Sequence, residues 1–239
     1  MRWLLWLTVT LSACSGSVIE YQAVEMNDSI LGDVLSESII TPYRDSLELT
    51  MNTILVQSEV PLTRAIPEST LGNLISDLLL ERAQIEMPDS LLPDLCLINI
   101  GGLRVDLPDG GISIGKVFEL MPFENELDIL ELSPEKMLEM LDYLREKGGQ
   151  PFSGMTLTIK PSTYDCEING KPLDENRTYY IVTSDYLADG GDKMYFFKEP
   201  LSRIQTGIKI RDAILDHFRI VGLANKSLKS EMDRRLIIE

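Results

Sequence analysis

Asp94-Leu-Cys-Leu-Ile-Asn-Ile-Gly-Gly-Leu-Arg-Val-Asp-Leu-Pro-Asp-Gly-Gly-Ile-Ser-Ile-Gly-Lys-Val-Phe-Glu-Leu-Met-Pro-Phe-Glu-Asn125 is the stretch on which the reading of this chain turns. It opens on an apolar run, Leu95 to Ile98, short enough for a buried strand. The run stops at Asn99, and Gly101-Gly102 then permits either a tight turn or a close backbone approach to another group. Arg104 follows, a fixed cationic fork suited to phosphate or carboxylate. A second pair, Gly110-Gly111, makes the next turn, and the stretch closes on Pro122-Phe123-Glu124-Asn125. A strand end, an Asn, a glycine pair, an Arg and a placed aromatic ring together suit a small-molecule site. Taken alone, glycines beside an arginine describe an ordinary loop equally well.

The N-terminal residues indicate the compartment. Met1-Arg2 supplies a positive charge, Trp3 to Leu11 is apolar, and Leu11-Ser12-Ala13-Cys14 ends the run. That is a secretory signal over residues 1–13, too short to span a bilayer. A Cys directly after a small residue resembles the bacterial lipobox, so Cys14 is the expected lipidation site and the expected location is an exported, lipid-anchored position in the cell envelope, periplasm or outer membrane. The alternative is an ordinary signal peptide with an incidental Cys. Residues 14–40 are polar and aperiodic, a tether that ends in a short helix.

The 239 residues are 44% hydrophobic and 25% charged, an ordinary globular composition long enough for one large domain or two small ones. A net charge of −16 leaves no basic stripe to neutralise phosphates, which argues against nucleic acid as a partner. A small anion could still be held by locally placed arginines. Cys96 and Cys166 both lie in strand-like runs; they are either one disulfide of an exported protein or two buried thiols.

The pattern then alternates between helix and strand. A first helix is expected from Thr41 to Val56 with Pro42 in its first turn, and an extended piece from Ser58 to Thr63. A second helix, Leu71 to Ile85, repeats Leu71, Leu74, Ile75, Leu78 and Leu79 at helical spacing. Leu127 to Leu132 reads as a strand. Ser133 and Pro134 cap and open a helix to Lys147, closed by Gly148-Gly149. Met155 to Lys160 and Tyr179 to Thr183 are strands, and Asn169-Gly170 marks a hairpin turn. Ile208 to Val221 is a final amphipathic helix. Interleaved helices and strands imply an α/β (mixed α+β) fold, a mixed sheet flanked by helices.

Chemistry is bounded by what is missing. The only histidine is His217, more readily a surface or structural residue than a ligand. A two-metal or zinc hydrolase site draws on several histidines plus carboxylates. There is no nucleophile elbow, Walker loop or dinucleotide fingerprint. No self-contained catalytic centre is legible, so no catalytic residue, metal ligand or cofactor is assigned to the chain.

Four segments in order, ESTLGNLISDLLL (68–80), INIGGLR (98–104), PFEN (122–125) and YIVTSDYLADGGD (180–192), resemble the C-terminal domain of the 5′-nucleotidases, whose patterns read LGNLIADA, NGGGIR, PFGN and TNDFLASGGDG. ITPYRDSLELTMNTIL (40–55) looks like that family's linker helix, so the resemblance covers residues 41–239. It implies a substrate-recognition half, with hydrolysis and two divalent metals belonging to a separate metallophosphoesterase chain. It also implies individual roles. Phe123 and Tyr186 would stack the base, a contact worth about 1–3 kcal/mol per base. Asn99 would read the base edge, Asp192 would accept from ribose hydroxyls, and Arg104 and Arg64 would hold phosphate. Each has a structural alternative: packing for the two rings, a turn for Asn99, a cap for Asp192, a surface charge for Arg64.

The sequence also departs from the pattern. Ile100 replaces a glycine, where a positive φ would be costly. Glu124 replaces another and brings negative charge near the phosphate region. Asp185 stands for Asn, and Tyr186 for Phe. The resemblance therefore implies the nucleotide-binding half of a split 5′-nucleotidase; a non-catalytic surface lipoprotein that captures nucleosides or nucleotides is the alternative.

Overall fold

A computed structural model describes residues 32–88 and 91–239. The signal segment 1–13, Cys14 and most of the tether lie outside the described residues. The described chain divides between Tyr43 and Arg44 into two units. The boundary falls inside helix α1 (Val34–Met51), which buries none of its residues. This corrects the expected first helix at both ends. The Asp33 side chain accepts from the Ser36 N–H at 2.8 Å and starts the helix early, so Pro42 lies in its interior rather than its first turn. It stops at Met51 because Ile54–Ser58 forms strand β1. Leu47 and Leu49, on this helix, are exposed.

Helix α2 (Thr70–Glu86) follows the expected pattern: Leu71, Leu74, Ile75, Leu78 and Leu79 are all buried. Ser69 caps it by accepting from the Gly72 N–H at 3.1 Å. Strand β2 (Leu95–Leu97) leads to a 3-10 turn, Ile100–Gly102. Strand β3 (Gly110–Ser113) and helix α3 (Ile114–Leu120) come next, then β4 (Glu126–Leu132). Helix α4 (Pro134–Lys147) has Ser133 as N-cap, and its C-cap Gly148 is left-handed at φ 72°. Strands β5 (Phe152–Ser153), β6 (Met155–Ile159), β7 (Tyr164–Ile168) and β8 (Lys171–Pro172) follow. Asn169 and Gly170 both have positive φ, as a two-residue primed turn between β7 and β8 requires. The chain continues through β9 (Tyr179–Ser184), the short helix α5 (Asp185–Ala188) and β10 (Ser202–Lys209). Helix α6 (Ile210–Leu223), β11 (Ser227–Leu228) and β12 (Leu236–Ile238) complete it.

The strands form three sheets, ordered β11-β1-β3, β10-β4-β9-β2-β5 and β12-β6-β7-β8. The middle one is mixed: β2 and β9 are parallel, while β4 runs antiparallel to both β9 and β10. Its central strands are buried on both faces, and the two-residue period sorts their side chains. Cys96, Leu127, Ile129 and Val182 join a core with α2 and α6. Leu95, Leu97, Leu130, Leu132 and Ile181 join a second core with α4 and β6. Cys96 and Cys166 are free thiols on different sheets, which settles the alternative between disulfide and thiols. Burial pushes the Cys166 thiol up to about 12 and Cys96 higher still, so neither is a nucleophile at neutral pH.

Candidate nucleotide-binding site

The sheet topology brings three distant segments to one edge. Because β2 and β9 run parallel, with Leu95 opposite Ile181 and Cys96 opposite Val182, their C-terminal ends emerge side by side. The Thr183 hydroxyl ties them by donating to the Leu97 carbonyl at 2.8 Å. Asn99 follows β2, and Tyr186 sits in the single turn of α5 that follows β9. Antiparallel β4 begins at the same edge, Leu127 opposite Ser184, so the Pro122–Asn125 loop preceding it is delivered there too. The carboxyl edge of a sheet is where open α/β folds place ligands.

A cavity of about 330 Å³ lies at this edge, within the range of small-ligand pockets. Asn99, Arg104, Phe123, Tyr186 and Asp192 all line it, with Asn125 and the Gly101-Gly102 backbone. Phe123 and Tyr186 are 42% and 46% exposed, neither sealed into a core nor free of the cavity wall. Five of the six expected site residues therefore converge. Arg64 does not. Its Nε contacts Asp106 at 3.3 Å and its Nη1 donates to the Leu103 carbonyl at 2.5 Å, so the guanidinium braces the loop behind Arg104.

Asp192 is the most connected residue of the site. Asn99 Nδ2 donates to its Oδ2 at 2.6 Å, and the Tyr186 hydroxyl donates to its Oδ1 at 2.9 Å. The Asp192 N–H donates back to the Tyr186 oxygen at 3.2 Å, and the Tyr143 hydroxyl donates to the Asp192 carbonyl at 3.0 Å. Burial, with Asp192 and then Tyr186 nearby, pushes the Tyr143 hydroxyl's pKa up, so it remains a donor. Arg104 Nη1 donates to the Gly101 carbonyl at 3.2 Å, and its Cζ stands 5.9 Å from the Phe123 ring centroid, within cation–π reach.

Two departures from the family pattern are absorbed. Ile100 has no positive φ, and its N–H donates to Gln150 Oε1 at 2.8 Å, so the missing glycine costs no backbone strain. Glu124 turns to Lys209 and Arg211 and pairs with both, which lowers its pKa. Its charge is matched outside the cavity rather than projected into it. Arg211, only 6% exposed, also donates to the carbonyls of Met121, Pro122 and Phe123, and its Cζ stacks 4.3 Å from the Phe118 ring centroid. Tyr143, Gln150 and Arg211 were not legible as site residues in the sequence; they lie on other elements, and no local motif marks them. His217 is remote from the cavity, 4.0 Å from Glu81, with burial lowering its pKa. Among the described residues no group of three or more His, Cys, Asp or Glu side chains is placed to hold a metal ion.

Fold and cavity define a mixed α/β domain with an open cavity whose wall combines two aromatic rings, one arginine and a hydrogen-bonded carboxylate. The chain belongs to the family described as 5′-nucleotidase, C-terminal domain, whose profile matches residues 54–199. It is 25% identical over 194 residues to an apyrase of Tabanus yao, covering 70% of this chain and 35% of the relative. It is 24% identical over 225 residues to a 5′-nucleotidase of Diplobatis ommata, covering 80% and 39%. The solved 5′-nucleotidase precursor of Thermus thermophilus superimposes with a TM-score of 0.69 at 23% identity, over 85% of this chain and 43% of that one. The chain thus spans less than half the length of these relatives.

Proposed function

We propose that this domain binds a nucleoside phosphate, with the base held between Phe123 and Tyr186. Asn99 reads the base edge, Asp192 accepts from the ribose hydroxyls, and Arg104 meets the phosphate. The observation that carries this reading is the convergence of these five side chains, from separated segments of the chain, on one cavity. Every base offers a π-face to an aromatic ring, so the stack tolerates different bases and leaves selectivity to the polar groups. An ionised carboxylate has about four acceptor sites. The two donors already on Asp192 therefore leave room for ribose hydroxyls.

Phosphate hydrolysis is, in this proposal, supplied by a metallophosphoesterase on a separate chain that holds the two divalent metals. A single histidine in 239 residues supports that division of labour. The lipobox-like Leu11-Ser12-Ala13-Cys14 supports an exported protein anchored in the cell envelope through Cys14. Mass spectrometry of the mature N-terminus checks this part: an unmodified or uncleaved Cys14 would remove it.

Calorimetric titration with AMP and adenosine tests the binding claim. Both are expected to titrate, and Phe123→Ala to weaken AMP by about tenfold or more. Silence from both ligands at millimolar concentration ends the reading. Co-purification and reconstitution then address catalysis. Binding without a phosphoesterase partner would leave a non-catalytic nucleotide- or nucleoside-capturing lipoprotein.

A further inference from the structure

We infer that the hydroxyls of Tyr186 and Tyr143 are positioning groups that lock Asp192 for a vicinal diol, so the site selects ribo- over 2′-deoxyribo-ligands through a tyrosine latch. This deepens the nucleotide-binding reading and rests on it.

Asp192 sits at φ 50°, ψ 23°, in the left-handed region. Asp visits that region more readily than most residues, but it is still a minority conformation that surroundings must hold. Three side chains from three elements hold it here. The Tyr143 hydroxyl, on α4, takes the Asp192 carbonyl and the Tyr186 hydroxyl, on α5, exchanges hydrogen bonds with its carboxylate and its N–H. Asn99, after β2, takes the other carboxylate oxygen. One donor on each oxygen fixes the carboxylate about its side-chain torsions. Each oxygen then keeps acceptor capacity of its own, an arrangement that suits two adjacent hydroxyls, one per oxygen. A carboxylate free to rotate would follow a single hydroxyl and discriminate less.

The Tyr186 ring is itself held in place. A Cβ on Gly191 would lie 2.4–2.6 Å from three atoms of that ring, so the ring rests directly on the glycine backbone. The hydroxyl consequently reaches Asp192 from a fixed direction. A phenylalanine at this position would keep the stacking face and lose the latch, so one atom separates the two roles.

The test compares AMP with dAMP by calorimetry in the full chain and in Tyr186→Phe, Tyr143→Phe and Phe123→Ala. Wild type is expected to prefer AMP by about tenfold, the worth of a charge-assisted hydrogen bond to one hydroxyl. Tyr186→Phe is expected to cut that ratio to about threefold or less, mainly by weakening AMP, and Tyr143→Phe to do so to a smaller extent. Phe123→Ala is expected to weaken both ligands alike and keep the ratio, so a fall in the ratio in Tyr186→Phe is not the result of a general loss of folding or stacking. If AMP binds and Phe123→Ala weakens it, but Tyr186→Phe leaves the ratio unchanged, the latch is wrong and the binding site stands. If neither AMP nor dAMP binds, the binding reading fails and the latch with it.

Discussion

Gly191 shows how much a single missing side chain decides at this site. Its Cα faces the Tyr186 ring so closely that any Cβ would overlap it, and the ring is one wall of the cavity. Gly191→Ala is expected to displace the ring, break its contact with Asp192, and weaken AMP by about tenfold. The fold is expected to keep its melting temperature within a few degrees, because the site is exposed and outside either core. An unchanged affinity would show that the ring does not face the ligand. The glycines of the organising stretch act in the same way. Neither Gly101 nor Gly102 has positive φ; a Cβ on Gly102 would come within 2.9 Å of Asn99 Oδ1. Of the two roles a glycine pair offers, the structure uses close approach, and it is the Asn99 side chain that approaches. This much was readable: Asn99, Arg104, Phe123, Tyr186 and Asp192 all sit in recognisable segments. Tyr143 was not, because its partner Asp192 is 49 positions away and its own helix pattern explains it without any ligand.

Among the elements, helices with chemical punctuation were legible and edge pieces were not. Ser133, Pro134 and Gly148 mark both ends of α4, and the spacing of Leu71 to Leu79 marks α2. Strand β10 escaped reading because it buries no residue fully and its register shifts between Gln205 and Lys209, where Gly207 has positive φ. Helix α3, at seven residues, is too short for periodicity to declare. Yet the two elements flanking the Phe123 loop are α3 and β4, and the residue that pins the loop, Arg211, lies in the first turn of α6. Arg211→Met keeps the apolar stem and removes donors from the carbonyls of Met121, Pro122 and Phe123. Loss of those bonds is expected to destabilise the fold by about 1–3 kcal/mol in denaturant unfolding. The freed loop is also expected to weaken AMP. Arg211→Lys restores a charge but not the planar fork, and is expected to recover only part of either effect. A variant as stable as wild type would show that solvent serves those carbonyls equally well.

For the whole molecule, the composition sets an electrostatic limit that local motifs do not reveal. Strand order was beyond the sequence, since pairing β2 with β9 and β4 with β9 joins segments tens of residues apart, but the excess of acid was plain from the start. The net charge is −16, and the residues lining the cavity carry one cation, Arg104, and one anion, Asp192. Arg64 is engaged by Asp106, while Lys209 and Arg211 are engaged by Glu124. A monophosphate, carrying about −1.5 to −2 at neutral pH, already exceeds what one arginine neutralises. Each further phosphoryl group adds charge against an acidic surface without a new cation among the lining residues. In metal-free buffer of low ionic strength, ATP is therefore expected to bind at least about threefold more weakly than AMP. The gap is expected to narrow as salt rises, because the Debye length falls from about 30 Å at 0.01 M to about 8 Å at 0.15 M and the long-range repulsion is screened. Titrations of AMP, ADP and ATP across that range check the point. Affinity that climbs with phosphate number at low salt would mean that cations beyond the cavity wall, Arg64 first among them, leave their partners to meet the ligand.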